Sequence, residues 1–197
     1  MKLIKRIIKF ILYRNKKSVK QFKSYGMNSR IPKKSILGNP ECFSIGDNSI
    51  IDTGANNNGA KLCAFNNWYG QKLNPEIIIG NNVYIGSDFT LYCANKVIIE
   101  DNVLIASNVF ISDNNHGINP NLDYKEQPLL IKSVKIGKGA WIGEKVCVLA
   151  GAEIGEKSII GANSIVTNNI PSYSIAVGSP AKVIKKWDFN GNKWVSV

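Results

Sequence analysis

Residues 136–166 read "IGKGAWIGEKVCVLAGAEIGEKSIIGANSIV" and carry an aliphatic residue at every sixth position: Ile136, Ile142, Val148, Ile154, Ile160 and Val166. Small residues follow directly at Gly137, Gly143, Gly155 and Gly161, and a second small or aliphatic set recurs at Ala140, Val146, Ala152, Ser158 and Ser164. A period of six drifts around a helix of 3.6 residues per turn, so no amphipathic helix produces it. Short strands joined by tight turns do produce it. Three hexapeptides then close one triangular coil, with the aliphatic side chain inward and glycine expected to allow the turn.

Outward from this block the same rule holds at Ile79, Ile85 and Leu91, slips by two residues, and resumes at Ile99, Ile105 and Ile111. Ile45 and Ile51 in "FSIGDNSIID" extend it toward the N-terminus. The repeat lapses twice, over 52–76 and over 112–133. Smooth solenoid walls offer little chemistry, so function is expected where the repeat is interrupted. His116, the one histidine of the chain, stands near the start of the second interruption in "ISDNNHGI". Asp113, Asn114 and Asn115 precede it, and ordinary turn chemistry accounts for them as well as substrate contact does. In the first interruption Phe65, Trp68 and Tyr69 suit either packing or a carbohydrate platform.

Charge is distributed unevenly. Residues 1–34 hold twelve of the 25 basic side chains and no acidic one, leaving the rest of the chain near neutral. Ile4, Ile7, Ile8 and Ile11 recur at helical spacing opposite Lys2, Lys5, Arg6 and Lys9, which predicts a basic amphipathic helix. Either it is a solvated surface helix or it rests on an anionic cytoplasmic membrane face. Its uninterrupted apolar run, Phe10 to Tyr13, is far short of the ~20 residues a membrane span needs. Nucleic-acid binding is disfavoured, because the basic charge sits in one terminal segment rather than interleaved with aromatics. The four cysteines show no paired spacing, which points to free thiols in a reducing cytoplasm and to no metal site.

The predicted organisation is therefore a basic N-terminal segment over 1–34, a β-solenoid over 35–186 with loops 52–76 and 112–133, and a C-terminal tail over 187–197. Asn190-Gly191 marks a hairpin in that tail, with Trp187 and Trp194 packing across it.

From about Ile45 to Ile184 the chain resembles the hexapeptide-repeat acyltransferases, and residues 134–186, ending in "GSPAKVIKK", resemble in particular the branch that acetylates sugars, antibiotics and polysaccharide units. The resemblance implies an all-β fold, a left-handed parallel β-helix, and a homotrimer with pockets between chains. It implies acetyl-CoA as acyl donor, a carbohydrate acceptor and no metal. By the same resemblance His116 is the general base, a task suited to imidazole with its ordinary pKa near ~6.5. Asp113 and Asn115 are candidate substrate contacts. Backbone at Gly143 and Ala162, the side chain of Thr167, and the cations Lys182 and Lys185 are candidate donor contacts. Asn163 and Glu144 depart from the family pattern, where small residues are usual.

The expected function is O-acetylation of a sugar hydroxyl on a bacterial surface polysaccharide intermediate, in the cytoplasm, with residues 1–30 as the candidate contact to the inner membrane face. The alternatives are N-acetylation of an amino sugar, antibiotic acetylation, and a catalytically silent scaffold. One histidine excludes the three-histidine zinc site of the carbonic anhydrases built on this fold. No glycine-rich strand–loop–helix signal supports a sugar-nucleotide pyrophosphorylase.

Overall fold

The six-residue ladder winds through three parallel sheets in turn, as seen in a computed structural model that describes residues 21–52 and 59–197. Sheet 1 contains Ser24–Tyr25, Phe43–Ile45, Glu76–Ile79, Lys96–Ile99, Val134–Ile136 and Glu153–Ile154. Sheet 2 contains Ile50–Ile51, Tyr84–Ile85, Leu104–Ile105, Trp141–Ile142, Ile159–Ile160 and Ser174–Val177, and then continues antiparallel through Lys182–Asp188 and Lys193–Ser196. Sheet 3 contains Ile36–Gly38, Lys61–Ala64, Thr90–Cys93, Phe110–Ser112, Cys147–Val148 and Ile165–Val166. Three parallel sheets visited in rotation form the β-helix expected from the sequence.

Period-two alternation within each short strand sends one side chain inward, and parallel register stacks equivalents above one another. Ile45, Ile79, Ile99, Ile136 and Ile154 form one ladder, Ile51, Ile85, Ile105, Ile142 and Ile160 a second, and Leu62, Leu91, Ile111, Val148 and Val166 a third. All are buried, as are Ala140, Val146, Ala152, Ser158 and Ser164 of the secondary set. A cavity in so continuous a column is costly, about 2–5 kcal/mol for an isoleucine cut to alanine.

The turn is not made by the glycine that follows each ladder residue. Gly137, Gly143, Gly155 and Gly161 are absent from the positive-φ positions, and a Cβ on each would strike the next coil at 2.2–2.7 Å. Left-handed backbone occurs instead three residues after the ladder position, at Asn48, Asn82, Asp88, Asn102, Asn108, Gly139, Lys145, Gly151, Lys157 and Asn163. Asn, Asp and Gly tolerate that conformation best, which explains why asparagine serves at 163.

Three boundaries differ from those predicted. The solenoid begins before residue 35, since Ser24–Tyr25 already pairs with Phe43–Ile45 and Arg30 bridges to Ile50. The first interruption is split in two by a regular strand, Lys61–Ala64, whose Leu62 and Ala64 are buried. The C-terminal hairpin starts at Lys182 rather than 187, with Trp187 and Trp194 paired across it at 5.2 Å between ring centroids. The amphipathic helix predicted at the N-terminus falls on residues 1–20, outside the described residues. Among the described residues no helix is long and apolar enough to cross a membrane.

Candidate active site

Each coil turns three corners, and the one between sheets 3 and 1 carries two of the interruptions. There the chain leaves the solenoid after Ala64, makes a small hairpin of Asn67–Trp68 with Gln71–Lys72, and rejoins at Glu76. One coil further on, the corner is tight at Ala94 and Asn95. At the following coil the chain leaves again after Ser112, pairs Asn114–Asn115 antiparallel with Leu130–Ile131, and rejoins at Val134. The two excursions thus emerge from one edge and meet over the tight corner between them.

Asp113 fastens the stem of the second excursion. Its side chain is fully buried, and both carboxylate oxygens accept hydrogen bonds from the tight corner: Ala94 N at 2.7 Å on Oδ1, Asn95 N at 2.8 Å on Oδ2. Asn114 Nδ2 and the Cys93 thiol donate at 3.0 and 3.2 Å. Asp113 also closes the stem through its backbone, its carbonyl accepting from Lys132 N at 2.8 Å. A carboxylate so enclosed cannot reach a ligand, so Asp113 is a structural anchor and the expectation of substrate contact is corrected. Burial, with the Asp113 charge adding to it, pushes the Cys93 thiol well above the usual range.

Gln71 and Gln127 complete the scaffold. Gln71 donates through Nε2 to Leu129 O at 3.2 Å and accepts from Leu129 N at 2.7 Å, tying one excursion to the other. The buried Gln127 side chain accepts from Asn119 N and donates to the carbonyls of Asn119 and Leu122. Gly117 must remain bare, because its Cβ would lie 2.5 Å from Gln127 Oε1. Amide side chains in polar loops are too common for sequence to single out these two.

His116 stands on this scaffold, exposed, and has no protein hydrogen-bond partner among the described residues. Its ring meets Trp68 edge-on, centroids 5.1 Å apart and planes at 65°. Trp68 is in turn braced by Tyr69 at 5.4 Å and Phe65 at 6.4 Å. Such pairs favour one ring orientation without consuming the imidazole nitrogens. Those nitrogens remain available for proton transfer. Asn115 is exposed beside His116, and its backbone is held in the short ladder by Leu130.

The candidate donor residues divide between corners. Gly143 and Ala162 stack at the corner between sheets 2 and 3, with Gly143 N donating to Ile160 O at 2.8 Å. Gly143 is buried, and the room its side chain would need is filled by Ala162 N at 2.7 Å, so the bare backbone there serves coil packing rather than an open approach. Ala162 is exposed. Thr167 lies on the His116 corner, two coils further along, exposed, with Oγ1 accepting from Asn168 Nδ2 at 3.1 Å. Lys182 and Lys185 are exposed in the strand Lys182–Asp188 and form no ion pair among the described residues. Within one chain, then, His116 and the Gly143–Ala162 corner occupy different edges of the prism.

The comparisons with known proteins find hexapeptide repeats in two stretches of the solenoid. Residues 133–168 match the bacterial transferase hexapeptide (six repeats) family, and residues 76–113 match the hexapeptide repeat of succinyl-transferase. WbbJ of Escherichia coli (strain K12), named for O-acetyl transfer in lipopolysaccharide biosynthesis, is 36% identical over 126 residues, covering 60% of this chain and 64% of its own. The galactoside O-acetyltransferase of the same strain is 40% identical over 110 residues, 56% of this chain and 54% of its own. The chain thus spans less than two thirds of the length of either relative. A solved structure of a galactoside acetyltransferase in complex with coenzyme A superposes with a TM-score of 0.61 at 27% identity, over 87% of this chain and 68% of that one.

Proposed function

From the premise that the chain belongs to the hexapeptide-repeat acetyltransferase family, we propose that it is an acetyl-CoA-dependent O-acetyltransferase acting on a sugar hydroxyl of a bacterial surface polysaccharide intermediate, with His116 as general base. The observation that carries this reading is His116 itself. The imidazole is exposed at an interruption of the repeat, braced by Trp68 and left with both nitrogens available. Kinship with WbbJ favours a polysaccharide acceptor, and the fold shared with a coenzyme A complex favours the donor.

The residues present fit such a donor. Among the described residues Lys182 and Lys185 are cations without acidic partners, suited to phosphate oxygens, and exposed Ala162 leaves the neighbouring backbone within reach of an amide-rich arm. Acetyl-CoA supplies an acyl group already activated as a thioester. His116 takes the hydroxyl proton as the acceptor oxygen bonds to the carbonyl carbon, and returns it to the sulfur as the carbon–sulfur bond breaks. The imidazole ends neutral, and no covalent enzyme adduct is required.

His116 and the donor corner belong to different edges of one prism, so the complete site needs a second copy of the chain. The outer side of sheet 2 supports this. Tyr84, Leu104 and Trp141 stand 40–49% exposed there in register, a column of apolar side chains facing out. A trimer would cover such a surface.

The test is thiol release from acetyl-CoA across a panel of free, lipid-linked and nucleotide-linked glycans, with mass determined by light scattering on the same sample. Acceptor-dependent release by a trimer is expected. Full activity in a monomer would overturn the shared site, and no release with any acceptor would favour a silent scaffold.

A further inference from the structure

The outer side of sheet 3 carries a run of aromatic rings that ends at His116. Phe110 and Tyr92 stand 5.7 Å apart between centroids, Tyr92 and Phe65 5.8 Å, Phe65 and Trp68 6.4 Å, and Trp68 and His116 5.1 Å. All four aromatic residues are partly exposed. Lys61 lies alongside, Nζ 5.0 Å from the Tyr92 centroid, and forms no ion pair among the described residues. The outward positions of sheet 1 at corresponding levels hold Ser44, Ile78, Ile98, Lys135 and Glu153, with no aromatic among them. Sheet 2 also turns Tyr84 and Trp141 outward, but Leu104 stands between them in register, so that face forms no run of touching rings such as the one that leads to His116.

We propose that this strip is the acceptor subsite, and that the acceptor is an extended glycan of at least two sugar units lying from Trp68 across Tyr92 toward Phe110. The proposal rests on the O-acetyltransferase reading and goes beyond it by assigning the acceptor's size and path. Aromatic faces are electronegative and apolar, matching the weakly positive C–H faces of sugar rings. Each ring-to-ring step is comparable to one sugar ring, so a single sugar at His116 touches Trp68 alone while a longer chain engages the whole strip. Lys61 adds an ammonium donor for hydroxyl or acidic sugar oxygens.

Trp68 supplies a second, independent observation. Its Nε1–H is buried without a hydrogen-bond partner among the described residues, at the junction between strip and imidazole. An orphaned buried donor is costly, and a sugar oxygen taken up there after a small shift of the ring would satisfy it. The same contact would place a neighbouring hydroxyl beside His116.

Direct binding decides the matter without any catalytic readout. The full chain is titrated calorimetrically with neutral and uronate-containing gluco- and galacto-oligosaccharides of one to four units, in wild type, Tyr92→Leu and Phe110→Leu, with urea midpoints as a control for folding. The expected result is a Kd falling by about tenfold or more between one and three units, with the gain lost in the leucine variants, which keep apolar volume but no aromatic face. Affinity independent of length, or no glycan bound, overturns the proposal. The wild-type length series is decisive by itself, so a variant that fails to fold removes nothing from the test. Thiol release with a short acceptor judges the O-acetyltransferase reading separately.

Discussion

Removing the Asp113 carboxylate should unfasten the loop that carries His116. In Asp113→Ala the backbone N–H groups of buried Ala94 and half-buried Asn95, now bonded at 2.7 and 2.8 Å, lose their acceptors. Each orphaned donor costs about 1–3 kcal/mol, so the variant should be destabilised by about 2–6 kcal/mol. Asp113→Asn keeps one oxygen but turns an NH2 toward a donor. It should lose about 1.5–3 kcal/mol, the worth of one charge-assisted bond. Urea unfolding gives both values from the midpoint at constant slope. Turnover should fall in parallel, because the stem that aims His116 is loosened. The reasoning fails if Asp113→Ala unfolds within about 0.5 kcal/mol of wild type while the acceptor KM rises, for Asp113 would then be a substrate contact.

Gly143→Ala should be destabilised by about 1–3 kcal/mol, since its Cβ would lie 2.7 Å from Ala162 N in the next coil; a melt unchanged from wild type would deny that packing role. Glu76 is held at about 2, down from 4.5, by hydrogen bonds from Lys23 and Lys96. The stability this adds is complete above pH 4.5 and is lost as pH falls toward 2, so urea midpoints should drop across that window, and by less in Glu76→Gln. Among the thiols, Cys93 should be the last to react with iodoacetamide near neutral pH, after half-buried Cys63 and Cys147, because burial and Asp113 keep it protonated; mass mapping of early adducts checks the order.

The ladder was legible because burial acts on every sixth residue without regard to what lies outside. The corners were less so. Glycine after the ladder residue suggests a turn-former, yet its real constraint is the backbone of the next coil, and the left-handed position three residues on is disguised by asparagine and lysine. Lys61–Ala64 escaped notice because it lies ten residues past the preceding ladder position and lacks the following glycine. His116 stood out through its place in the interruption. What braces it did not, since Trp68 and Gln71 meet the second excursion only because two corners of one edge are stacked. The anchoring role of Asp113 is hidden from the sequence for the same reason. Its partners, Ala94 and Asn95, are brought beside it by the solenoid and not by the local sequence.

The most direct test is acceptor-dependent thiol release from acetyl-CoA by wild type and His116→Ala at matched stability. Loss of kcat by about 10²-fold or more, with acetyl-CoA binding retained, is the predicted result for a general base. A variant that keeps kcat within a few-fold of wild type would contradict it.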